Sequence, residues 1–335
     1  MKERLIQFLA CPACSGEIHL TETHVIEGIE ILEGKLGCEK CDQQFPIARG
    51  VPRFADLKTL EGEQAATASK FGFEWKYFTQ HDEKYGEQFL GWLAPVESSF
   101  FKNKLVLDGG CGKGRHMLTA HGWGALDVVG IDLSDAVDSA FAATRYAESL
   151  HVIQADICRL PLKQVFDYAY SVGVLDHIPE PLIGFKSLAS KVRPGGHLSV
   201  WVYGEENNRW ILKLVNPVRK RLTSRMNART LLHFSKLPTA AVYIATKFVF
   251  GPLSKAPLGR RIVRRLFYSD YMVALSEFGW KEQHNIVFDH LVAPTAHYVN
   301  REQFEEWWND IGARDTMIGW HNKNSWRGFG KVSGQ

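Results

Sequence analysis

The stretch that most constrains the fold of this chain is Leu105–His116, Leu-Val-Leu-Asp-Gly-Gly-Cys-Gly-Lys-Gly-Arg-His. Three apolar residues ending in Asp108 have the pattern of a buried parallel strand, and Gly110, Gly112 and Gly114 predict the turn that follows it. Glycines at this spacing tolerate positive φ and let the backbone approach a ligand, while the next helix directs its first N–H groups at whatever binds there. Alone, such a run also fits a dinucleotide loop or an ordinary tight turn.

The segments downstream narrow the choice. Asp127–Asp132 is a second short apolar strand ending in an acid, where a carboxylate accepts from ribose hydroxyls. Gln154-Ala155-Asp156-Ile157 closes a third strand with another acid, and Phe166–Val172 is a fourth, running into Gly173-Val174-Leu175-Asp176-His177. Arg193-Pro194-Gly195-Gly196-His197 reads as a turn ahead of a fifth.

Taken in order from Val106 to Tyr203, these motifs resemble the class I S-adenosylmethionine-dependent methyltransferases. The resemblance implies an α/β fold: a Rossmann-like seven-stranded sheet, mostly parallel with the last strand antiparallel. It implies that Gly110, Gly112 and Gly114 pack beside the methionine moiety, that Asp132 holds the ribose, and that Asp156 reaches the adenine amine. It also implies that Asp108 steadies the loop and the methionine amino group, with Leu133 and Ile157 flanking the adenine ring. Gly109 departs from the family pattern, which commonly has an apolar residue there.

Two Cys-x-x-Cys knuckles, Cys11–Cys14 and Cys38–Cys41, lie about one hairpin apart near the start of the chain. Four thiolates give the closed tetrahedral shell of a structural zinc, which leaves no coordination position for catalysis. Leu5–Phe54 resembles the small zinc-ribbon proteins that partner tRNA and protein methyltransferases, so the expected task of the ribbon is to brace the catalytic domain or present a surface. Cys111 and Cys158 fall inside the cofactor motifs, where small buried residues suffice.

Asp56–Ala68 reads as a polar connector, and Phe71-Gly72-Phe73-Glu74-Trp75 after it as an aromatic helical lead-in. Related methyltransferases carry a similar segment that covers the cofactor, which makes Trp75 a cofactor-binding candidate. From Asn207 to Tyr268 the chain has 14 Lys or Arg and no Asp or Glu, although its formal net charge is only +3. Proline and glycine cut this basic, apolar region into short helices, an inserted cap following strand five. The expected division is 1–56 ribbon, 57–100 linker and lead-in, 101–205 cofactor core, 206–285 cap and 286–335 the end of the catalytic domain. Asn300 with Gln303 predicts a capped helix from Arg301, and Asp315–Trp320 and Ser325–Val332 the last two strands.

Methyl transfer needs an aligned acceptor and, for a hydroxyl, a base. His177 after strand four is the first candidate, followed by His290 and His297, with Tyr203 and Glu205 as polar pocket groups. The cap reads either as a charge-rich solvated face on a helical lid or as a lid over an anionic small-molecule or lipid-linked acceptor, methylated at oxygen, with peripheral membrane contact through basic helices. RNA base methylation is the alternative, with nucleic acid ranked behind, and a methyltransferase-like scaffold lacking activity is the reading from another class. With no signal-peptide pattern after Met1 and no apolar run of membrane-spanning length, the expected location is the cytoplasm.

Overall fold

The structure is a computed structural model, and it describes residues 1–55, 62–78, 85–293 and 296–333. The connector expected at Asp56–Ala68 lies outside these residues up to 61, and Gly62–Ala68 is already helical. Pro294 and Thr295 also lie outside them.

Two sheets organise the chain. The first is a four-stranded antiparallel ribbon of β1 (Ile18–Glu27), β2 (Glu30–Cys38), β3 (Gln44–Ala48) and β4 (Val51–Pro52). The second contains β5 (Leu105–Gly109), β6 (Asp127–Asp132), β7 (Leu150–Gln154), β8 (Phe166–Val172), β9 (Val192–Tyr203), β10 (Arg314–His321) and β11 (Ser325–Lys331). Its spatial order is β10-β11-β9-β8-β5-β6-β7, and β11 runs antiparallel to both of its neighbours. The seven-stranded, mostly parallel sheet expected from the sequence is therefore present. Strand order reverses between β5 and β8, the position where open α/β sheets form a ligand crevice at their carboxyl ends.

Alternation along the strands builds a core on each face. Val106, Val128, Val152, Tyr168 and Tyr170 pack beneath α2 (Tyr85–Leu93), α3 (Arg115–Gly122) and α4 (Ala136–Thr144). Leu107, Val129, Ile153, Ala169 and Leu198 pack on the other face with Phe185 and Leu188 of α5 (Pro181–Ala189). Gly109 has a packing reason: a Cβ there would lie 2.7 Å from Leu188 Cδ2, so the departure from the family pattern lets α5 sit close to the sheet.

The ribbon is built into this core. Leu5, Phe8 and Leu9 are buried with sheet residues, and Phe8 packs against His151 and Phe166. Arg4 grips buried Asp127 with two nitrogens, at 2.9 and 2.6 Å, and Asp127 also bonds His151 Nε2 at 3.1 Å. Arg53 and Phe54 run alongside Gln154, so the ribbon covers the free edge of β7. An exposed strand edge is a template for aggregation, and covering it removes that hazard.

Asn207–Tyr268 folds as short helices, as its composition predicts. Pro257 stands at the first position of a helix entered from an extended residue, where a missing N–H costs nothing, whereas Pro217 and Pro252 follow directly on π-helical turns and lie within continuous helical backbone. The longer helix Trp280–Val292 buries Phe288 and Val292 against Leu231, Leu232 and Phe78, which fastens the cap to the aromatic lead-in. The capping box at Asn300–Gln303 is formed and starts the helix Arg301–Asp310. The Pro194-Gly195-Gly196 turn, in contrast, lies within β9. Gly195, with φ +79°, lets the strand bend there. Among the described residues, no helix is long and apolar enough to cross a membrane.

Candidate cofactor and acceptor site

A cavity of about 610 Å³ opens at the carboxyl ends of β5, β6, β8 and β9. Its floor is the glycine loop, its sides are strand ends, and its roof comes from α1 (Gly62–Tyr77) and the cap.

The loop takes its shape from glycine. Gly110, Gly112 and Gly114 have φ of +94°, +52° and +83°. A Cβ on Gly110 would fall 2.2 Å from Val174 Cγ2, and one on Gly112 would lie 3.1 Å from Trp75 Nε1. Gly114 caps α3 and does not line the cavity among the described residues. Asp108 is buried beneath the loop, where it accepts from Tyr170 Oη at 3.0 Å. Burial pushes its carboxyl up to about 7.

Asp132 ties the loop to the next strand. Its Oδ2 accepts from Gly112 N at 3.0 Å, and its Oδ1 accepts from the N and Oγ of Ser134 at 2.8 and 2.7 Å. Burial raises its pKa, opposed by the bonds from Ser134 and Gly112. Asp156 Oδ1 accepts from Cys158 N at 2.9 Å, and Leu133 and Ile157 line the same side. Trp75 faces this group across the loop from α1, with Lys113 Nζ 5.7 Å from its ring centre.

The opposite half is aromatic and acidic. His177 is 7% exposed and packs between Phe71 and Tyr203, with ring centres 5.0 and 5.9 Å away. Tyr203 Oη donates to Asp289 Oδ2 at 3.2 Å, while burial and the Asp289 and Asp176 carboxylates push its pKa well above the ordinary tyrosine value. His290 lines the cavity with Nδ1 2.9 Å from the Ile286 carbonyl. His297 is outside the lining among the described residues, and its backbone N–H donates to the Asp176 carbonyl at 2.7 Å. Glu205 is likewise outside it; its backbone N–H donates to the Val299 carbonyl.

Sequence reasoning missed Glu74, Glu282 and Asn285, which share this half of the cavity. They come from α1 and the cap helix Trp280–Val292, and only the tertiary fold brings them together. No motif marked the helix over 280–292, whose middle the expected boundary at 285/286 crosses. Gly16 was also missed: a Cβ there would lie 3.0 Å from Cys38 Sγ and 3.3 Å from Cys14 Sγ.

The four knuckle sulfurs of Cys11, Cys14, Cys38 and Cys41 lie within 4.8 Å of one another, with Cys11–Cys41 at 3.6 Å and Cys14–Cys38 at 3.5 Å. A tetrahedral zinc with Zn–S bonds of about 2.3 Å sets sulfurs roughly 3.8 Å apart, so the cluster fits one closed zinc site. The cofactor half fits S-adenosylmethionine as well. It combines a side-chain-free loop, a buried carboxylate at the end of the next strand, and two aliphatic residues lining the same side.

Comparison with known proteins agrees with both parts of the chain. Residues 107–200 match the family described as "Methyltransferase domain", and residues 2–50 match "Trm112p-like protein". The tRNA U34 carboxymethyltransferase of Pseudoalteromonas atlantica is 38% identical over 112 residues, which is 32% of this chain and 35% of that protein. That of Shewanella halifaxensis is 29% identical over 177 residues, 47% of this chain and 49% of that protein. The chain thus spans between about a third and a half of the length of these curated relatives. Among solved structures, a complex of the Haloferax volcanii Trm112 methyltransferase activator with a methyltransferase is 12% identical, with a TM-score of 0.44. It covers 79% of this chain and 99% of that one.

These relatives correct one expectation. The small-molecule or lipid-linked acceptor, with membrane contact through the cap and nucleic acid ranked last, gives way because the relatives are named for tRNA. Cations interleaved with apolar residues serve phosphates and bases as well as lipid head groups, so composition could not separate the two. The chain carries a class I S-adenosylmethionine-dependent methyltransferase domain behind a Trm112p-like zinc ribbon.

Proposed function

We propose that this protein is a cytoplasmic S-adenosylmethionine-dependent methyltransferase that modifies a base of tRNA, holding the RNA across its cap. The observation that carries the reading is the charge of the cap surface: 12 of the 14 cations in 207–268 are exposed, in a region without a single acid. Phosphate neutralisation by such a surface supplies sequence-independent affinity, and the cavity beneath receives one unstacked base. The names of the relatives support the same substrate class.

When bound, S-adenosylmethionine supplies a methyl group activated by its positive sulfur. The chain's part is alignment and proton removal. Asp132 would accept from the ribose and Asp156 from the adenine amine, and Leu133 and Ile157 would hold the ring. Trp75 covers the loop and keeps water from the aligned groups. His177 takes the proton of the acceptor as it is methylated, held in place by Phe71 and Tyr203. Asp289 fixes Tyr203, and His290 stands beside the Tyr203 ring at 5.6 Å. The ribbon braces the sheet edge and keeps its zinc away from the chemistry.

Filter retention of total tRNA over a salt series tests the reading. Retention should fall steeply with salt, by a log–log slope of about 0.7 to 0.9 per phosphate contact. Exchanging exposed Arg260, Arg261, Arg264 and Arg265 for Ser should flatten that slope while uptake of S-adenosylhomocysteine is unchanged. Salt-independent or absent retention contradicts it.

A further inference from the structure

The acidic wall of the cavity holds polar groups that cofactor binding does not use. Glu282, Asn285 and Asp289 of the cap helix lie at i, i+3 and i+7, on one helical face, and line the cavity together with Glu74 of α1. Two of the four are already engaged. Glu282 receives the Tyr85 hydroxyl and lies 3.9 Å from Arg115, and Asp289 receives Tyr203. Each of the other two keeps one acceptor in reserve: Glu74 Oε2 and Asn285 Oδ1 are buried and have no hydrogen-bond partner among the described residues, in side chains 1% and 7% exposed.

A buried acceptor left without a donor is destabilising, so two in side chains that line one cavity call for a ligand that donates hydrogen bonds. Burial, with Asp289 and Glu282 facing it, pushes the Glu74 carboxyl well above the usual carboxylate range. In its protonated form the group donates through one oxygen and accepts through the other. The Asn285 amide offers the same pair of functions. The engaged carboxylates of Glu282 and Asp289 repel an anion from this wall, whereas a neutral ring edge alternating N–H and C=O satisfies it.

We propose that Glu74 and Asn285 form the subsite that reads the acceptor base, selecting one whose edge bears an N–H beside a carbonyl. The inference rests on the tRNA reading and names the base chemistry within it. The test uses the full chain saturated with S-adenosylhomocysteine, titrated by ligand-observed NMR. The ligands are uridine against N3-methyluridine and guanosine against 1-methylguanosine, pairs in which a methyl replaces the ring N–H.

In at least one pair the N–H form should bind about tenfold more tightly. Glu74→Leu and Asn285→Leu should erase that preference with S-adenosylhomocysteine uptake retained, and Glu74→Gln should preserve it. Equal affinity within both pairs, or no binding by any of the four nucleosides, overturns the inference. So does loss of S-adenosylhomocysteine uptake in Glu74→Leu and Glu74→Gln alike, which would place Glu74 in the cofactor half. tRNA retention on the same preparation keeps the two readings apart. Retention without N–H preference removes the subsite alone, and preference without retention removes the tRNA reading alone.

Discussion

Replacing Asp132 by alanine gives the most quantitative test of the cofactor half. Its two oxygens already accept from Gly112 N, Ser134 N and Ser134 Oγ, so the side chain is held rigid before any ligand arrives. A ribose diol would add two charge-assisted bonds of about 1.5–3 kcal/mol each. Relief of the desolvation that raises the Asp132 pKa offsets part of that loss, which leaves a net deficit of about 3 kcal/mol. Calorimetric titration with S-adenosylhomocysteine should then show affinity reduced about 100-fold. Ser134→Ala, which removes a single bond to Oδ1, should cost less than about tenfold. If Asp132→Ala changes affinity less than about threefold in a protein that still unfolds cooperatively, the ribose assignment is wrong.

Three further outcomes follow from the geometry. Asp108 keeps its proton in the folded state up to about pH 7 but loses it near 3.8 when unfolded, so its contribution to ligand-free stability declines as pH rises through that window. Asp108→Asn should flatten the fall of melting temperature across that interval, and an unchanged slope would count against its burial. Chelating zinc, or Cys38→Ser, should lower the melting temperature of the whole chain by several degrees in one transition, because ribbon and sheet share a core; an unmoved main transition would show the ribbon to be a mere appendage. Gly110→Ala should destroy S-adenosylhomocysteine binding through its contact with Val174, whereas Gly122→Ala, with open space around its Cβ, should leave binding intact.

What could be read from the sequence was the part encoded by neighbours in the chain. Strand, glycine turn and terminal acid lie within a few residues of each other at β5 and β6, so local pattern carries the cofactor half. The same holds for the cysteine knuckles and for the Asn300 capping box. Gly109 departs from the family pattern with no local reason, because Leu188, which needs its missing side chain, lies 79 positions later. The acidic wall was hidden for a similar reason: Glu74 and Asn285 lie 211 positions apart in the chain and line one cavity only in the folded protein. The cap itself was legible as basic and helical, but its occupant was not. Exposed Phe248, Phe267 and Leu258 among arginines and lysines satisfy lipid, protein and RNA partners by the same physics.

The most direct measurement is transfer of an isotopically labelled methyl group from S-adenosylmethionine to total tRNA, followed by nuclease digestion and mass spectrometry of the nucleosides. The account predicts label on the base of one nucleoside, lost in His177→Ala and reduced in Asp132→Ala. Label confined to small molecules or lipids, or labelled tRNA unaffected by both substitutions, would contradict it.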